Sequence, residues 1–126
     1  MSDPVYERGM QVRREVLGDA HVDRAIERTT DFTAEFQNLI TRLAWGEIWS
    51  RPGLDRKTRS AITLTAMVAL GRDEELAMHV RAALRNGLTS DEIKEVLLHA
   101  TVYCGVPAGN AAFAIAQRVL EEAASE

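Results

Sequence analysis

Glu74-Glu75-Leu76-Ala77-Met78-His79-Val80-Arg81-Ala82-Ala83-Leu84 reads as one amphipathic helix, and the rest of the chain can be placed around it. At about 100° per residue, Leu76, Ala77, Val80, Ala83 and Leu84 share one face, while Glu74, Arg81 and Arg85 share the other. Glu75 and His79 fall on the border, spaced i and i+4. A carboxylate held against an imidazole fixes its tautomer and raises its pKa toward the range useful for proton transfer, so the pair is a candidate acid/base couple. An ordinary ion pair at a helix edge has the same spacing.

Upstream, Asp55 is placed to cap a helix that carries Arg56, Lys57 and Arg59 near its start. The almost wholly apolar run Ala61 to Leu70 follows, and Gly71 ends it. Such a run predicts central burial, in a monomer or in an oligomer. Arg59 is the last charge before it, either a guanidinium that reaches back to water or a fork for an anionic ligand.

Downstream, Asn86-Gly87 stops the central helix and Thr89-Ser90-Asp91-Glu92 forms a capping box for another, reaching about Tyr103. Its inner face is Ile93, Val96, Leu97, Ala100 and Cys104. Leu98 and Val102 project elsewhere, so apolar surface is left over and oligomerisation is expected. His99 reads as a partly buried or surface histidine, and Cys104 as a buried, inert thiol. In Tyr103-Cys104-Gly105-Val106-Pro107-Ala108-Gly109-Asn110, Gly105 and Pro107 force a turn and start a final helix from Ala111 to Ala124. Its first N–H groups attract anions, with the Tyr103 hydroxyl and Asn110 as added donors.

Toward the N-terminus, Tyr6 to Leu17 reads as a weakly amphipathic, peripheral helix stopped by Gly18. Ala20 to Thr29 reads as one or two turns with His21 solvated or capping. Thr30 or Asp31 then caps a helix in which Phe32, Phe36, Leu39, Ile40, Leu43 and Ala44 recur at helical spacing, the signature of a core element. The connection Ala44 to Leu54 concentrates Trp45, Gly46, Glu47, Trp49, Arg51 and Pro52, which can line a pocket or anchor a subunit interface. No strand pattern appears, so the chain reads as an all-α compact bundle of about six or seven helices forming a single domain over residues 1–126.

A net charge of -4 argues against a nucleic-acid binder. The single cysteine, the polar start and the lack of a run long enough to span a membrane fit a cytoplasmic protein. No phosphate loop or metal-ligand spacing is present, so neither nucleotide nor metal is expected.

These residues together resemble the carboxymuconolactone decarboxylase family. The resemblance is carried by Leu54 to Leu98, and more specifically by Trp45-Gly46-Glu47-Ile48-Trp49-Ser50-Arg51-Pro52-Gly53-Leu54 and Tyr103-Cys104-Gly105-Val106-Pro107. The family also holds alkylhydroperoxidase-like proteins with a CxxCxxxH signature. Here the histidine is kept as His79, but Arg72 and Glu75 stand at the cysteine positions, and no acid lies between Thr58 and Leu70. Thiol redox chemistry is therefore out of reach.

The resemblance implies a homo-oligomer, a hexamer, that decarboxylates a small lactone bearing two carboxylates without a cofactor. His79 would donate the proton or stabilise the enolate, with Glu75 orienting it and Glu47 as a second candidate acid/base. Arg59, with Arg51 or Arg72 in reserve, would grip the retained carboxylate. Trp45 and Trp49 would line the pocket, and Tyr103, Gly105 and Asn110 would supply neutral donors. The alternatives are a decarboxylase or isomerase for another small lactone, a redox protein, and a helical oligomer that has lost its chemistry.

Overall fold

The computed structural model of the chain describes residues 3–126 and shows no strand among them. Seven α-helices follow in order: α1 (Pro4–Leu17), α2 (Asp19–Arg28), α3 (Ala34–Ile40), α4 (Arg56–Leu70), α5 (Asp73–Arg85), α6 (Ser90–Cys104) and α7 (Val106–Ala124). A π-helical segment, Thr41–Ile48, continues α3. The all-α class expected from the sequence is the class observed. The chain divides into two compact units, one running to Leu54 and the other from Asp55 to Glu126.

In the first unit, Asp3 caps α1 by accepting from the Tyr6 N–H at 3.2 Å. This helix is not peripheral, because Val12, Arg13 and Val16 are buried. It packs on the π-helical segment through two glycines. A Cβ on Gly9 would overlap the Thr41 carbonyl, and one on Gly46 would press on the Val5 carbonyl. With neither Cβ present, the backbones approach closely and Arg8 Nε donates to the Gly46 carbonyl at 3.0 Å. α2 is longer than one or two turns, with ten residues, and His21 in it is half-buried.

The expectation that Phe32, Phe36, Leu39 and Leu43 form core is overturned. All four are exposed, Phe32 at 95%. The face that α1 covers is the one carrying Thr41, Trp45 and Gly46, where small groups allow contact. The bulky stripe is left on another side. Trp45 to Ile48 is also helical rather than a connection: the Trp49 N–H donates to the Ala44 carbonyl, five residues back, at 2.8 Å.

In the second unit, Asp55 accepts from the Thr58 N–H at 2.7 Å and starts α4. The Thr89/Glu92 capping box starts α6. Leu64 and Val68 of α4 meet Leu76 and Val80 of α5, Ile93 and Leu97 of α6, and Ala112 and Ala116 of α7. Burial of α4 is one-sided, contrary to its apolar sequence. Ile62 and Leu70 are exposed because α5, α6 and α7 all contribute to the core on the Leu64 and Val68 side.

Candidate functional site

The second unit holds seven of the sequence-derived candidates: Arg59, Arg72, Glu75, His79, Tyr103, Gly105 and Asn110. α5 presents Glu75 exposed in its first turn and His79 half-buried one turn later. Three acids, Asp73, Glu74 and Glu75, occupy that first turn, where they also favour the helix dipole. Nδ1 of His79 is shielded from solvent, as is Nε of Arg59.

The register of α4 against α5 is set by Asn86, whose side-chain amide donates to Ser60 Oγ at 2.8 Å. Arg59 therefore stands beside the C-terminal end of α5, while Arg72 precedes its first turn. His79 lies seven residues from Arg72 and seven from Asn86, about 10 Å along the helix either way.

The turn between α6 and α7 lies elsewhere. Arg81, two residues after His79, pairs with Glu126 at 2.8 Å and Glu122 at 3.6 Å, near the C-terminal end of α7. Gly105 and Asn110 are at the other end of that helix. Gly105 adopts φ 101°, which favours glycine, and its carbonyl accepts from Gly109 at 3.1 Å. Tyr103 is exposed and sets its ring 5.2 Å from that of His99.

In the first unit the remaining candidates cluster on the π-helical segment and just after it. Trp45 is buried and its ring lies 5.3 Å from that of half-buried Trp49. Glu47 and Arg51 are exposed. The Gly46 carbonyl accepts from both Arg8 Nε at 3.0 Å and Ser50 Oγ at 2.6 Å.

Two features escaped the sequence reading. A cavity of about 660 Å³ opens between α4 and α6, walled by Ala61, Ile62, Thr65, Ala66, Ala69 and Val96, with Glu95 and His99 completing its lining. Glu95 and His99 are spaced i and i+4, as Glu75 and His79 are, so the same periodicity would have found them. The second is Arg13, buried in the first unit with no carboxylate partner among the described residues. Only packing marks it, since its neighbour Arg14 is identical in type and lies at the surface with Asp19 and Asp23.

Comparison with known sequences follows the same lines. Residues 34–118 match the profile of the carboxymuconolactone decarboxylase family. The chain is 53% identical to a 4-carboxymuconolactone decarboxylase of Acinetobacter baylyi, over 93% of this chain and 87% of that protein. It is 43% identical to a nitrosuccinic acid decarboxylase of Metarhizium robertsii, over 94% of this chain and 82% of that protein. A 4-carboxymuconolactone decarboxylase of Pseudomonas putida is 64% identical over 42 residues, 33% of this chain and 88% of that sequence.

Proposed function

The chain belongs to the carboxymuconolactone decarboxylase family, and we propose from this membership that it converts 4-carboxymuconolactone to the enol-lactone of β-ketoadipate, a step of protocatechuate breakdown. The observation that carries the reading is the 53% identity to a decarboxylase of that name across 93% of the chain.

The chemistry asks little of a cofactor. The bond from the ring carbon to the departing carboxylate breaks, and its electron pair moves through the ring double bond to the lactone carbonyl oxygen, giving a dienolate. A proton then adds to the ring carbon next to that carbonyl. The substrate is its own electron sink, so the protein has to hold a carboxylate, stabilise the enolate oxygen and deliver one proton.

His79 is the proposed proton donor. Its Nδ1 is shielded from solvent. Glu75, one turn before, keeps the imidazole charged, and Arg59 grips the retained carboxylate with Arg72 in reserve. Tyr103, Gly105 and Asn110 are proposed as neutral donors. Since they sit at the far end of α7 from Arg81, they would serve His79 from another copy of the chain. Trp45, Glu47, Trp49 and Arg51 are the candidates of the other unit.

A homo-oligomer, a hexamer in keeping with the family, is part of the proposal and is supported by the exposed Ile62, Leu70, Leu98, Val102 and Val106. Among the described residues no helix is long and apolar enough to cross a membrane. The single thiol, Cys104, suits the reducing cytoplasm.

The nitrosuccinic acid decarboxylase relative favours a second reading, decarboxylation of another small acid with a built-in electron sink. Ultraviolet decay of 4-carboxymuconolactone with release of carbon dioxide, by chelator-treated protein, tests the first. Turnover of nitrosuccinate but not of the lactone would replace it with the second.

A further inference from the structure

Arg13 is 6% exposed, yet among the described residues no carboxylate pairs with it. Its hydrogen bonds go to neutral acceptors, from Nη1 to Thr41 Oγ1 at 3.2 Å and from Nη2 to Gln37 Oε1 at 3.1 Å. The Nε–H is buried and has no partner. A guanidinium does not give up its proton at any ordinary pH, so this is a permanent charge taken out of water and left uncompensated by the chain. Burial is what pulls its pKa below the arginine value, with Tyr6 acting in the opposite direction. The contrast with Arg14 is informative: the partly exposed arginine pairs with two aspartates, and the buried one with none among the described residues.

Arg13 also lines a cavity of about 380 Å³ enclosed by α1, α2, α3 and the start of the π-helical segment. Tyr6 and Asn38 add a hydroxyl and an amide to the wall, while Met10, Ile26 and Ala34 add apolar surface. Arg13 is the charged side chain among its lining residues. His21 of α2 is held below its ordinary pKa first by burial and then by Arg24, Arg13 and Arg28.

We propose that this cavity is a binding site for a small organic carboxylate, whose charge faces the Arg13 guanidinium and whose oxygens meet the Tyr6 and Asn38 donors, while its carbon body lies on Met10, Ile26 and Ala34. The size suits a ligand of roughly benzoate dimensions, at the lower end of small-molecule pockets. It lies wholly within the first unit and uses none of the residues proposed for the decarboxylation. Binding there neutralises a buried charge, so occupancy stabilises the fold by linkage.

The full-length protein is titrated with sodium acetate and sodium benzoate, and with sodium chloride and inorganic phosphate at matched ionic strength. Thermal midpoint and the Arg13 Nε–Hε signal in proton-nitrogen NMR are followed together. The expected result is a saturable rise of about 3 °C or more with benzoate, smaller with acetate, and a shift of the Arg13 signal over the same concentrations. Tyr6→Phe weakens the apparent affinity several-fold and Arg13→Lys removes the effect. Arg59→Ala leaves it in place, separating this site from substrate binding beside His79. An Arg13 signal that stays still through the benzoate titration, or a midpoint that responds alike to chloride, phosphate and benzoate, overturns the proposal. Should Arg13→Lys fail to fold, Tyr6→Phe and the NMR signal still decide it.

Discussion

Asn86 donates its side-chain amide to the buried hydroxyl of Ser60, and this one bond ties the end of α5 to the start of α4, immediately beside Arg59. Asn86→Ala leaves the Ser60 hydroxyl without its amide donor, at an expected cost of about 1–3 kcal/mol. Because Arg59 is the adjacent residue, KM for the carboxylate substrate rises as well. Urea unfolding and steady-state kinetics on one preparation check both, and a stability loss with unchanged KM would separate Arg59 from the register.

Replacing His79 by Ala lowers kcat/KM by about a hundredfold or more while helix content by circular dichroism is unchanged. Glu75→Gln has a smaller effect, about tenfold, under the proposed role in which Glu75 orients the imidazole and does not itself react. Equal losses for the two variants would instead make Glu75 a direct participant.

The crossing of α1 over the π-helical segment depends on two missing side chains. Gly9→Ala places a methyl group against the Thr41 carbonyl, which belongs to backbone and has no rotamer to yield. Destabilisation of about 3 kcal/mol is expected, readable as a lower urea midpoint. Wild-type stability for this variant would mean that the helices separate freely.

Val102, 76% exposed on α6, is a sensitive point for assembly. Val102→Asp lowers the mass measured by light scattering while α6 stays folded, because its core residues Ile93, Leu97 and Ala100 face the other way. An unchanged mass would remove this face from the interface.

The capping box predicts a pH dependence. The Thr89 N–H and then Lys57 hold the Glu92 carboxyl below its ordinary value of 4.5. A carboxyl with a lowered folded-state pKa stabilises the fold above its unfolded value, and that contribution disappears as pH falls through the folded value. Wild type should therefore exceed Glu92→Gln in stability at pH 7, with the difference narrowing from about pH 4.5 downward. A constant difference across that range would assign the effect to hydrogen bonding alone.

Much of the second unit was legible in the sequence because its signals are local. Asp55 and the Thr89/Glu92 box cap their helices, and Leu64, Leu76, Val80, Ile93 and Leu97 lie inward as their spacing predicts. The Glu75/His79 spacing was visible for the same reason, while the equivalent Glu95/His99 pair gained meaning only from the cavity it lines. In the first unit the apolar stripe Phe32, Phe36, Leu39 and Leu43 pointed to the wrong face. Periodicity shows that a helix has an apolar side, but the side that is covered depends on where another backbone can approach, and there Gly9 and Gly46 decided.

The amino-acid sequence by itself determined the all-α class, the Asp55 and Thr89 caps, the family and the spacing of Glu75 and His79 along one helix. These follow from interactions spanning a few residues or from strings of identical type. Tertiary structure alone decided that Arg13 rather than Arg14 is buried and that α4 shows one side to solvent. It also decided that Asn86 meets Ser60, because burial and long-range hydrogen bonds are set by segments that arrive from elsewhere in the chain.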